Sequence, residues 1–308
     1  MPAKKLVKQV YGKGDYMNTN KLKKIGSADL IIYFILLLIS FIMLYPVLYM
    51  FSVSLSDINA VVRNEVKFYP VGFSLEAYRM FLKDARILKS YYNTIVYSIL
   101  GTFFSLSFTS LMAYPLSIRS FCMKKFNTVF LTITMFIGGG LIPYYMTIRN
   151  LGMVDTIWVI VIPGSVGAWN VIIYKTFFLG IPDSLRESAY IDGANDILIL
   201  FRIILPVSKA LLATMGLFSI VGIWNDFFTA LIFINTNSKQ PLQILLRSIL
   251  ILNTFSNTEL DKINKAKEVN TQTVKAAAIV VAVLPLMIIY PFLQKYFAKG
   301  ILIGSIKG

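Results

Sequence analysis

The sequence predicts an all-α polytopic membrane protein with six transmembrane helices and a short extra helix between the fourth and fifth. Three observations carry this. Of 308 residues, 56% are hydrophobic and only 15% are charged, less charge than a soluble domain of this length carries. The apolar residues fall into long uncharged blocks, so lipid is the solvent for much of the chain. The 30 lysines and arginines, against 15 carboxylates, sit between those blocks and at the termini, which points to orientation in a membrane and not to nucleic acid.

The first block, Leu30–Phe51, has no charge. As a helix it would rise roughly 33 Å, against a hydrocarbon core of about 30 Å. The other spans are expected near 93–118, 126–148, 156–174, 210–234 and 276–294, the fifth interrupted only by Asp226. Prolines 46, 115, 143, 163, 285 and 291 lie within these blocks. Neighbouring helices can satisfy the carbonyls that a proline frees, so kinked helices are expected. Gly138-Gly139-Gly140 interrupts the third block. It fits local unwinding or close packing along a solute path, and equally a flexible helix end.

Six spans place both termini on one side. Seven lysines precede the first block (Lys4, Lys5, Lys8, Lys13, Lys21, Lys23 and Lys24), and they make that side cytoplasmic. Residues 1–29 then form a retained cytoplasmic tail, since the block after them is too long for a signal-peptide core. Residues 30–298 form the membrane domain, and 299–308 form a second cytoplasmic tail. Arg119, Lys124 and Lys125 fall inside. The short loop Arg149–Asp155 falls outside, as do the long loops near 52–92 and 235–275.

There is one cysteine, Cys122, and no histidine. A disulfide within the chain is excluded, and so are His-dependent catalysis and the usual zinc ligand sets. Cys122 reads as an ordinary reduced thiol in a short loop. The chain has no G-x-x-x-x-G-K-[ST] phosphate loop; Gly12-Lys13-Gly14-Asp15 lacks the first glycine and the hydroxyl. No cofactor is expected, and the chain is not expected to be an enzyme.

The segment 181–206 carries the functional signal. Ser184 and Glu187 are spaced as a capping box, and Gly193 suits a left-handed helix stop. Small Ser188 and Ala189 would let another protein approach closely. Asn195 or Asp196 can cap a following helix. An amphipathic connector resting on anionic lipid would be basic. Positions 183–196 instead hold four carboxylates (Asp183, Glu187, Asp192 and Asp196) and one arginine, which favours a protein partner.

The run Glu187-Ser188-Ala189, three residues, Gly193, nine residues, then Ile203-Ile204-Leu205-Pro206 resembles the EAA loop of ABC-importer permeases. The departure is Ser188 in place of alanine. The proline usual after Leu-Pro is also missing, Lys209-Ala210 standing there, which removes one reason for a bend at the start of the fifth span. Phe73-Ser74-Leu75-Glu76-Ala77-Tyr78, Trp224-Asn225-Asp226 and Gln294-Lys295-Tyr296-Phe297-Ala298-Lys299-Gly300 are similar to segments of the maltose-type sugar permeases, nearest the Gram-positive subgroup for complex oligosaccharides. The resemblance implies a coupling helix, with Ser184, Glu187, Ser188, Ala189, Asp192, Gly193, Leu205 and Pro206 in or beside its contact with cytoplasmic ATP-binding subunits. It also implies a second homologous permease subunit, an extracellular solute-binding lipoprotein, and alternating access.

Two rival readings are weaker. An ion-driven transporter needs ionisable groups within the membrane, and Asp226 is the one charge inside an expected span. A membrane enzyme needs a constellation that this composition lacks. Asp226 must face protein or water. Trp224, Asn225 and Asp226 are therefore either packing elements or a sugar contact, with the carboxylate and amide on hydroxyls and the indole on a ring face.

Overall fold

The computed structural model describes residues 27–251 and 271–305. The seven lysines of the N-terminal tail, and positions 252–270 of the second long loop, lie outside the described residues. The described residues are helical with no strand. The chain up to Tyr49 forms one unit and Met50 onward forms another.

The first unit holds most of α1 (Ser27–Ser54). From Ala28 to Leu48 every residue is exposed. This helix is apolar all round, the pattern of a span in lipid.

In the second unit, the first long loop builds helices of its own: α2 (Ile58–Val62) and α3 (Glu76–Lys83). On α3, Ala77 and Phe81 are buried and the polar residues face outward. The chain then turns at Asp84 into α4 (Ala85–Ser117), eight residues earlier than the second expected span. Asp84 caps it, its carboxylate accepting from the Arg86 N–H at 2.9 Å. Arg86 in turn pairs with Asp84 at 2.8 Å and holds that carboxyl below its usual range.

α4 is the central element. One face carries Ser90, Thr94, Ser98, Gly101, Thr102, Ser105 and Thr109, all buried. Small residues at this helical spacing let a second backbone come close where lipid gives no hydrophobic drive. The helix that uses them is α11 (Lys209–Asn225). A side-chain carbon at Gly101 would meet the Ile223 Cδ1 at 2.5 Å. The Ser219 hydroxyl donates to the Ser105 hydroxyl at 3.1 Å.

The third expected span is two helices, α5 (Lys124–Phe136) and α6 (Leu141–Asn150), bent by 118°. The break falls on the three glycines. Ile137 is extended, and Gly140 has φ +79°, a value that costs glycine little. The fourth is also broken, by 50°, between α7 (Trp158–Ser165) and α8 (Ala168–Leu179). Pro163 opens a 3₁₀ turn just before that break. After α9 (Asp183–Ile191) comes α10 (Asp196–Val207), then an 85° bend into α11. The bend forms without the missing proline. At Ser208 the backbone leaves the helix (ψ 20°) and the hydroxyl donates back to the Ile204 carbonyl at 2.7 Å. α11 ends at Asp226, and α12 (Phe228–Phe233) completes the fifth apolar block. α13 (Leu242–Ile251) and α14 (Thr271–Ser305) follow. The helix α14 continues through both Pro285 and Pro291 and runs on through positions 299–305.

The buried residues fall into three clusters. One joins α4, α8, α9 and α10 around Tyr114, Tyr174, Phe178, Ala189 and Ile199. A second joins α3, α13 and α14 to Trp224. The third joins Tyr97 and Ile148 to Phe233 and Ile234.

Candidate functional site

The short helix α9 sits where the sequence places it, but starts differently. Pro182 occupies the N-cap and no side chain caps the end. Proline fixes its own φ and lets the helix begin at Asp183, one residue before the expected cap. Ser184 is thus already inside the first turn, and the capping box with Glu187 does not form. The Ser184 carbonyl accepts from the Ser188 hydroxyl at 2.9 Å. At the other end the expected stop is present. Gly193 has φ +79°, its N–H donates to the Tyr190 carbonyl at 3.0 Å, and the Ala194 N–H donates to the Ala189 carbonyl at 2.9 Å. Together these bonds make a complete Schellman motif. Asn195 then caps α10, accepting from the Leu198 N–H at 2.8 Å.

Ala189 does not face outward as expected. It is buried against α4 and α8, so its small size serves packing within the chain. Ser184, Glu187, Ser188 and Asp192 are exposed. Beside them lie the exposed apolar side chains Leu185, Ile191, Ile197 and Phe201, which form a surface of mixed chemistry. Leu205 and Pro206 close α10 after a π-helical turn over Leu200–Ile204, in which the Leu205 N–H donates to the Leu200 carbonyl.

Sequence reasoning missed Arg186, which it treated as the one basic residue in an acidic stretch. Arg186 is 5% exposed. Its Nη2 donates to the Ser117 hydroxyl of α4 and to the Phe178 carbonyl of α8, both at 3.1 Å. Its Nη1 lies 3.6 Å from Asp183. Its guanidinium lies 5.6 Å from the Tyr114 ring. Asp183 also pairs with Arg119 at 3.4 Å. A second carboxylate, Asp196, accepts from the Tyr190 hydroxyl at 2.5 Å and from the Tyr114 hydroxyl at 3.3 Å. The bond to Asp196 holds the Tyr190 hydroxyl above its usual pKa. The available signal was helical spacing: Arg186 stands three residues from Ala189, on the inward face.

The residues at the end of α11 separate. Trp224 is 3% exposed. Its indole N–H donates to the Ala282 carbonyl of α14 at 3.0 Å, and its ring meets Tyr91 edge-on. That indole is a packing element with no free face for a sugar. Asn225 and Asp226 instead line a cavity of about 590 Å³, with Tyr144, Asn170, Ser219 and Thr229. Asp226 accepts from the Thr229 N–H at 3.1 Å, capping α12 across the break. Among the described residues, no lysine or arginine lines this cavity.

Toward the other end of α4, beside Tyr97, a different knot forms around Asp155, in left-handed backbone at φ 58°. Its carboxylate accepts from the Asn235 and Thr236 N–H groups at 3.0 and 2.9 Å, from the Thr236 hydroxyl at 2.6 Å and from Lys239 Nζ at 2.9 Å. These donors, led by the Thr236 hydroxyl, hold Asp155 well below the usual carboxylate range. The Lys239 carbonyl accepts from the Tyr97 hydroxyl of α4 at 2.8 Å.

Comparison with known proteins follows the same lines. The model of the family described as "Binding-protein-dependent transport system inner membrane component" matches residues 17–303. The chain is 39% identical over 280 residues to the polygalacturonan/rhamnogalacturonan transport system permease protein YtcP of Bacillus subtilis, covering 91% of this chain and 98% of that one. It is 40% identical over 267 residues to the protein LplC of the same organism, covering 87% and 90%. A solved structure of a bacterial ABC transporter that imports the acidic polysaccharide alginate matches with a TM-score of 0.82 at 33% identity, over 88% of this chain and 98% of that one. With an EAA-type run folded into a stopped helix on a bundle of membrane-length helices, the chain belongs to the binding-protein-dependent transport system inner membrane components: it is a permease subunit of an ABC importer and not an enzyme.

Proposed function

We propose that this permease moves an oligosaccharide inward through six spans, with both termini in the cytoplasm and α9 as the contact for an ATP-binding subunit. The observation that carries the reading is the pairing of loops at the two ends of α4. Arg119 meets Asp183 at one end, and Asp155 meets Asn235 and Thr236 at the other. That is the arrangement six spans require, in which the second and fourth loops share one side and the third and fifth share the other. Three long helices and three bent pairs supply enough apolar length for six crossings. Basic Arg119, Lys124 and Lys125 stand at the α9 end, which favours the cytoplasm there.

The exposed face of α9 and α10 suits a protein groove: acidic at Glu187 and Asp192, apolar at Leu185, Ile191 and Ile197. A second, homologous permease completes the pore, and an extracellular lipoprotein delivers the solute. The cavity beside Asn225 and Asp226 offers hydroxyls, amides and one carboxylate, a lining suited to a polyhydroxylated solute. The relatives named for polygalacturonan and alginate point to the same class.

The test uses the whole complex, purified from its native membrane and reconstituted in vesicles. ATP-dependent uptake of labelled oligogalacturonides or malto-oligosaccharides is expected, and Asn225→Ala is expected to raise the half-saturating concentration. Uptake that proceeds without ATP would overturn the importer reading. For topology, single cysteines at Asn59 and Ser120 in a Cys122→Ser chain are exposed to an impermeant thiol reagent in whole cells. Labelling is expected at 59 and not at 120, and the reverse pattern inverts the model.

A further inference from the structure

We infer that Arg186 is the positioning residue that locks α9 to the last turn of α4, so that a push on α9 moves α4 with it. The inference rests on the reading of α9 as the ATPase contact. Left to its backbone, α9 would be a poor lever. It has nine residues, and it is flanked by Gly180 on one side and by Gly193, in left-handed conformation, on the other. Something other than the chain path must hold its angle.

The guanidinium is suited to that task and to little else. It is buried, and burying a charge carries a desolvation cost that an apolar side chain of similar volume avoids. In return it supplies direction. Its planar fork reaches three segments at once: Ser117 on α4, the Phe178 carbonyl at the end of α8, and Asp183 on its own helix. A methionine could fill the space but could not fix the angle.

A second tie closes the same arrangement. Tyr114 and Ser117 stand three residues apart on one face of α4. Arg186 lies over the Tyr114 ring, and the Tyr114 hydroxyl reaches Asp196, which also accepts from Tyr190 on the last turn of α9. Both ends of α9 are thus pinned to one turn of α4. From there α4 runs to the Asp155 knot through Tyr97 and Lys239. A displacement at α9 therefore passes into α4 as a whole and reaches the turn that carries Tyr97.

The experiment places nitroxide labels at Ser184→Cys on α9 and Met112→Cys on α4, in a Cys122→Ser chain within the complete complex, with no other cysteine labelled. Wild-type chains should give one narrow distance distribution of equal width without nucleotide and after ATP–vanadate trapping. In Arg186→Met the distribution should broaden about twofold, most in the trapped state, while Arg186→Lys, which keeps the charge but loses the fork, should fall between. A distribution in Arg186→Met as narrow as wild type overturns the inference. If that variant fails to insert, Ser117→Ala, which removes one acceptor only, should show a smaller broadening, and an unchanged width there is equally fatal. Failure of the unlabelled wild-type permease to hold an ATPase subunit would instead sink the reading of α9 as the contact; the nucleotide-free widths would still decide whether Arg186 is the pin.

Discussion

The two ends of α4 are tied to the rest of the chain by opposite chemistry. At one end a cation, Arg186, is buried and acceptors are gathered around it. At the other a solvent-accessible carboxylate, Asp155, gathers donors from a loop eighty residues later. Water can replace the partners of Asp155 and salt can screen its pairing with Lys239. Neither holds for Arg186: its buried Nε already lacks a partner among the described residues, and a lost acceptor leaves a further buried donor unsatisfied, at about 1–3 kcal/mol. One end therefore keeps a fixed geometry, while the other can open and re-form at little cost.

The sharpest way to break this comparison is at Gly193. Gly193→Pro cannot adopt φ +79° and removes the N–H that bonds Tyr190. It should lower uptake at least about tenfold while the chain still inserts, because the lost stop reorients α9. Uptake within a factor of two of wild type, with normal membrane levels by immunoblot, would show that α9 geometry does not matter.

A smaller effect is expected at Ser117. Ser117→Ala strands one donor of Arg186 and should lower the midpoint of thermal unfolding by a few degrees, the equivalent of roughly 1–3 kcal/mol. Asp155→Ala should shift that midpoint less, yet speed amide exchange at Asn235 and Thr236 strongly. Equal midpoint shifts for the two variants would erase the contrast between buried and accessible ties.

The pH response sharpens it further. A carboxyl whose pKa is depressed by folding stabilises the fold above its ordinary value of about 3.9, and that contribution fades as pH falls through the folded value. Protection at Asn235 and Thr236, corrected for intrinsic exchange, should be flat from about pH 8 to 5 and should weaken only below about 4. Loss of protection near pH 6 would mean that Asp155 is not held by these donors.

The smallest effect is expected at Trp224. Trp224→Phe removes one buried bond to Ala282, worth about 0.5–1.5 kcal/mol, and should leave the half-saturating concentration unchanged. A marked rise in that concentration would return the indole to the solute path.

The pattern of what was legible has physical reasons. α1, α4 and α14 were plain because uncharged length alone specifies a span. Gly193 was plain because its role is local, and the cap of α10 was narrowed to Asn195 or Asp196 for the same reason. Ser184 misled because a capping box is read from spacing, and Pro182 moved the helix start by one residue. Ala189 misled because small size suits both a partner's approach and internal packing, and the sequence does not say which way it faces. Trp224 and Asp226 could not be told apart by spacing, because residues two apart at a helix end point in different directions, one into the core and one into the cavity. The Asp155 knot was invisible, since its donors lie far along the chain and only the fold brings them near.

The elbow between α5 and α6 bears on the lipid itself. Its arms of 13 and 10 residues rise roughly 20 and 15 Å, and neither alone crosses a hydrocarbon core of about 30 Å. A straight span answers a thicker or thinner bilayer by tilting as a whole or by deforming the lipid around it. A jointed one can answer by changing the angle at Ile137–Gly140 and leave both arms seated. On the six-span reading, the membrane's thickness becomes a mechanical input to this subunit, and vesicles made from acyl chains of different length should tune its resting elbow angle without any change in sequence.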